Sequence, residues 1–171
     1  MRTSTRAYTV DELRQHAWEL IQAFKIRTGQ ASHVDKSYSI PNQRVVMIVP
    51  ITGEVEYAVL LHELGHILAP TGFLRQGMKV TDTVTLPVLR LIVEEEWSAW
   101  EWAKHYALDW TPTMEHVCSI TLGGYEEELQ NRIALERLGE LIARFEGQKT
   151  TSPAPVSRST ESVSDFLRRL K

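Results

Sequence analysis

The sequence predicts an α+β fold that is mainly α-helical, with one short β-sheet. Three observations lead there. Along most of the chain apolar residues recur at three- and four-residue steps, the period of a helix with one buried face. One run, Arg44-Val45-Val46-Met47-Ile48-Val49, is instead short, apolar and β-branched and stops at Pro50, which is the pattern of a strand. Soon after it, Leu61-His62-Glu63-Leu64-Gly65-His66-Ile67-Leu68 places two histidines four residues apart, so both imidazoles leave one face of a helix.

A chain of 171 residues is expected to form one core-bearing domain. We place that domain at residues 1–146 and read 147–171 as a Ser/Pro-rich linker with a short C-terminal tail. A formal charge of −3 argues against a broad nucleic-acid surface. Cys118 is the only cysteine, so neither an intrachain disulfide nor a cysteine-based zinc site can form, which suits a reducing compartment. Met1 to Val10 lacks the apolar centre of a secretion signal, and no apolar run approaches the ~20 residues of a membrane span. The expectation is a soluble, cytoplasmic protein with no membrane or nucleic-acid partner.

Thr9-Val10-Asp11-Glu12 reads as a capping box opening a helix to about Arg27. Leu13, Ala17, Leu20, Ile21 and Phe24 form its stripe, His16 lies beside them as a partly exposed residue, and Gly29 is the expected stop. Residues 30–42 read as loop or irregular strand with a turn at Pro41-Asn42 and His33 at the surface. The strand at 44–49 is either an edge that pairs with an extended peptide or a buried structural strand. Thr52-Gly53-Glu54 opens the histidine-bearing helix, which Pro70, Thr71 and Gly72 end, and a loop over 71–84 is expected to cover part of a cleft. Thr85-Leu86-Pro87 starts a long helix to about Leu108. Thr111 caps a short helix to Leu122 that Gly123-Gly124 should end. A last helix is expected from Tyr125 to Phe145, with Leu129, Ile133, Leu135, Leu138, Leu141 and Ile142 on its buried side. Val163, Phe166, Leu167 and Leu170 suggest a short terminal helix, either frayed or a docking tail.

Two neutral imidazoles on one helix face can hold Zn²⁺, and a glutamate beside the first can take a proton from water. A catalytic zinc wants a third protein ligand. In one common arrangement a glycine falls three residues after the second histidine and a third histidine three further on. Ala69 and Gly72 stand at those positions, which excludes it. The other arrangement takes a glutamate from a second helix, and Glu94, Glu95 and Glu96 are available. Glu96 lies among Ile92, Ala99 and Trp100 on the apolar face. Glu94 has Arg90 and Ser98 as neighbours, and Glu95 is intermediate between Leu91 and Ala99. A buried ionised carboxylate is costly unless paired, and a metal ion is the strongest partner. Glu96 is therefore the expected ligand, with Glu95 as the alternative.

Leu61-His62-Glu63-Leu64-Gly65-His66, followed by Glu96-Trp97-Ser98-Ala99-Trp100-Glu101-Trp102-Ala103, resembles the ImmA/IrrE-type and phage-borne zincin-like peptidases of the gluzincin type. The resemblance spans residues 45–108. It implies a zincin-like domain, a zinc ion held by His62, His66 and Glu96, Glu63 as catalytic base, and a protein or peptide substrate. The chain departs from the pattern at Lys104-His105-Tyr106-Ala107-Leu108-Asp109, where many relatives continue a leucine-rich stretch to a proline. The function expected is zinc-dependent peptide-bond hydrolysis; the alternative is a metal-binding regulatory protein with little turnover. Tyr106, His105, Tyr38 and His116 are candidates for stabilising the oxyanion. Trp97, Trp100, Trp102 and Trp110 either pack the helices or line an apolar substrate pocket.

Overall fold

The computed structural model describes residues 7–69 and 84–150. The element order is α1 (Val10–Ala23), β1 (Arg27–Gln30), β2 (Tyr38–Ile40), β3 (Val45–Ile48), α2 (Glu54–Leu68), α3 (Leu86–Tyr106) and α4 (Pro112–Thr150), with single 3₁₀ turns at Val34–Lys36 and Pro41–Gln43. The described chain is thus mainly helical with one small sheet. The expected cleft loop and the terminal tail beyond residue 150 lie outside the described residues. No described helix is long and apolar enough to cross a membrane.

The capping box forms: Glu12 N–H donates to Thr9 Oγ1 at 3.3 Å and Thr9 N–H donates to the Glu12 carboxylate at 2.8 Å. Two backbone donors at the start of α1 are thereby satisfied. The helix ends earlier than its stripe suggests, because Lys25 takes a left-handed conformation at φ 53° and turns the chain. Gly29 is therefore not a helix stop. It sits in β1, where a Cβ would overlap the Met47 side chain.

The sheet order is β1-β3-β2. β1 pairs parallel to β3 (Thr28↔Val46), and β2 pairs antiparallel to it (Ser39↔Val46). The apolar run is thus the central strand, paired on both sides, with Val46 fully buried. Of the two readings, β3 is therefore the buried structural strand and not a peptide-pairing edge. The edges are β1, too short and polar to stand out in the sequence, and β2, which falls in the stretch read as loop or irregular strand.

Leu13, Ala17 and Ile21 of α1, Val46 of β3, Leu60, Leu61 and Leu64 of α2, and Trp100 of α3 form the core, with Met114, Cys118 and Leu122 of α4 beneath them. Burying each such large side chain contributes on the order of 1.5–3 kcal/mol. Tyr57 is also fully buried, and its hydroxyl accepts the Leu108 N–H at 3.2 Å and bonds His16 Nδ1 at 2.6 Å. Burial lowers the His16 pKa, which suits a neutral ring accepting from Tyr57.

α4 starts as expected, with Met114 N–H donating to Thr111 Oγ1 at 3.3 Å. It does not stop at Gly123-Gly124. Glycine inside a helix costs only about 1 kcal/mol against alanine, less than the cooperative gain of continuing a helix already anchored in the core. The chain forms two compact units, Met1–Ile133 and Ala134–Lys171. In the second, Leu135, Leu138, Leu141, Ile142 and Phe145 are 49–66% exposed among the described residues, where their spacing suggested a buried side.

α2 and α3 cross at Gly65. A Cβ there would lie 2.8 Å from Ala99 Cα, 2.9 Å from its carbonyl carbon, and closer still to its oxygen. These are backbone atoms and cannot swing aside. Gly65→Ala is expected to force the two helices apart, destabilising the fold by about 1–3 kcal/mol. Gly123→Ala, whose Cβ meets nothing within 4 Å, is expected to stabilise it by up to about 1 kcal/mol. Urea unfolding of both variants tests the contrast, and equal shifts would refute the close crossing.

Candidate metal centre

That crossing sets the site. His62 and His66 lie one turn apart on the buried side of α2, and Glu96 comes from the facing side of α3. Their residues are 6%, 8% and 2% exposed, so three ionisable groups share a nearly dry space. His62 Nε2 and His66 Nε2 are 3.1 Å apart. Glu96 Oε2 lies 3.2 Å from the first and 3.5 Å from the second. Three lone-pair-bearing atoms packed this closely need something positive among them, either a ring proton or a cation. Donors about 2.0–2.1 Å from a tetrahedral zinc ion are about 3.3 Å from each other, so the triangle has the size a zinc ion requires. The donor set, two imidazoles and a carboxylate, suits the same ion. The structure brings together the two expected histidines and Glu96, the expected glutamate.

Glu94 is exposed and takes no part. Glu95 is buried at 3% exposure, and its Oε1 lies 3.4 Å from His66 Nδ1, the ring nitrogen away from the triangle. The sequence placed Glu95 only as an alternative ligand. Its contact with the second ring nitrogen was not legible, since helix periodicity gives a direction but not the neighbour met there.

Glu63 follows His62 on α2 and is half-buried. Its charge reaches His66, one of the influences raising that ring's proton affinity. Trp100 stacks on His62 with ring centroids 4.2 Å apart and planes at 23°. The tryptophans divide: Trp100 is packed against the site, while Trp102 stacks on Tyr106 and meets Phe24 edge-on. Of the oxyanion candidates, Tyr106 is engaged in that stack, and His105, Tyr38 and His116 are exposed on α3, β2 and α4. No protein family, curated protein or solved structure matches the chain.

Burial alone would lower the His66 pKa, but contacts with the Glu95 and Glu96 carboxylates outweigh it and raise the value to about 9. Burial would raise Glu96, but the two imidazoles hold it well below the usual carboxylate range. In chelator-treated protein these shifts have opposite signs of linkage. The His66 contribution is fully present below its ordinary value of 6.5 and is lost as pH rises through about 9. The Glu96 contribution is present above its ordinary 4.5 and is lost as pH falls below it. Metal-free protein is therefore expected to be most stable between these ordinary values and to lose stability towards pH ~9.5. Urea titrations in chelator across that range check this, and a flat profile would contradict the assigned pairings.

Proposed function

We propose that the chain is a zinc-dependent peptidase of the zincin type. The observation that carries this reading is the convergence of His62 Nε2, His66 Nε2 and Glu96 Oε2 within 3.1–3.5 Å of one another, all three residues buried where α2 meets α3. His62, His66 and Glu96 would hold the ion. Zinc in such a site supplies Lewis acidity for carbonyl polarisation and water activation. Glu63 acts as general base: it takes a proton from the attacking water as the oxygen bonds to the scissile carbonyl carbon. Glu63 then returns that proton to the amine nitrogen as the C–N bond breaks. The buried walls keep the surroundings poorly solvated, which strengthens each charge interaction there.

An extended peptide is the substrate class that fits best. β2 packs against α2, and among the described residues its outer edge is paired with no strand. Such an edge can hold a substrate backbone by strand addition. The resemblance of the His62-Glu63-Leu64-Gly65-His66 and Glu96–Ala103 segments to those of ImmA/IrrE-type peptidases favours the same substrate class. The lone, buried Cys118 is compatible with work in the reducing cytoplasm.

The test is metal analysis of the purified full chain together with cleavage of casein and a peptide panel. One zinc per chain, and cleavage that chelator abolishes and added zinc restores, is the expected result. Protein that retains no metal would overturn the site. One zinc with no cleavage would instead support the regulatory, metal-binding reading.

A further inference from the structure

We infer that Glu95 is a positioning residue, holding His66 in the tautomer and orientation that present Nε2 to the metal. The inference rests on the zinc reading above and names a residue which that reading leaves without a role. Glu95 and Glu96 are consecutive on α3 and point about 100° apart, yet both are buried, at 3% and 2% exposure. They reach opposite ends of one ring. Glu96 Oε2 lies 3.5 Å from His66 Nε2, and Glu95 Oε1 lies 3.4 Å from His66 Nδ1.

An imidazole that offers Nε2 to a cation carries its proton on Nδ1, and that proton needs an acceptor. A carboxylate oxygen 3.4 Å from Nδ1 is placed to accept that proton, so Glu95 selects this tautomer. It also stops the ring from rotating out of the triangle.

His62 is held differently. Its Nδ1 is buried and has no hydrogen-bond partner among the described residues, while its ring lies against the Trp100 face at 4.2 Å. One ligand is thus oriented by a carboxylate and the other by packing. The asymmetry makes His66 the ligand whose alignment depends on a single polar group.

The experiment measures zinc affinity of the full chain by competition with a chromophoric chelator, and the visible absorption of the Co²⁺-loaded protein. Glu95→Leu is expected to weaken zinc binding by about 10–100-fold and to alter the cobalt bands. Glu95→Gln keeps an acceptor at nearly the same place and is expected to recover most of the affinity. Glu95→Asp, which keeps the charge but withdraws it by one methylene, is expected to lose affinity and decides the matter where the leucine variant fails to fold. A role confined to the metal-free fold would move the urea midpoint without changing the cobalt spectrum. Leucine or aspartate variants that match wild type in affinity and spectrum would overturn the inference, as would glutamine falling as far as leucine. Wild-type protein that binds neither metal would instead sink the zinc reading itself.

Discussion

Glu63→Gln is expected to lower peptide cleavage by about 10²–10⁴-fold while leaving zinc content unchanged. Glutamine has the shape of glutamate but cannot take up a proton near neutral pH. Glu63 is not one of the three clustered groups, and its charge is one influence on His66, so His62, His66 and Glu96 should stay in place. The loss should fall on kcat, with KM little changed, because proton transfer is needed in the transition state and not for binding. Steady-state kinetics on a cleaved peptide, with metal analysis of the same preparation, give the result. A variant that keeps its zinc and cleaves as fast as wild type would remove Glu63 from the mechanism.

Glu96→Ala is expected to do more, abolishing activity and weakening zinc binding beyond the 10–100-fold that loss of an outer partner costs. Among the described residues, Glu96 is the carboxylate placed within 3.5 Å of both Nε2 atoms. Without it the site keeps two imidazoles and exchanges a fixed charged ligand for water. The change should also be visible without metal. The Glu96 carboxylate is one of the contacts that hold the His66 pKa near 9, so the variant's metal-free stability should depend less on pH between its ordinary value of 6.5 and about 9. Chelator competition and urea titrations read the two effects separately. Unchanged zinc affinity would end the assignment. Strong loss in Glu95→Ala with none in Glu96→Ala would exchange the roles of the two glutamates.

The features legible beforehand are those carried by neighbours along the chain. Thr9 with Glu12 and Thr111 mark helix starts, because caps act within three residues. His62 and His66 had to share a face, since four residues is close to one turn. Glu96 could be preferred over Glu94 because periodicity separates a buried face from a wet one.

The errors have one source. β1 and β2 are strands only because each pairs with β3. Arg27-Thr28-Gly29-Gln30 and Tyr38-Ser39-Ile40 carry no alternation of their own. The Leu135–Phe145 face of α4 has the spacing of a buried stripe, yet it is exposed among the described residues. Spacing says which residues share a face, not whether anything covers it.

By itself, then, the amino-acid order determined where most helices begin and which side chains leave each on a common side, since both follow from backbone geometry over a few residues. The tertiary structure alone decided that β3 is central, that α2 and α3 touch at Gly65 and Ala99, and that Glu95 and Glu96 grip different nitrogens of one imidazole. Those facts depend on distances between segments some 30 residues apart in the chain, from the histidines to the glutamates, which no local period encodes.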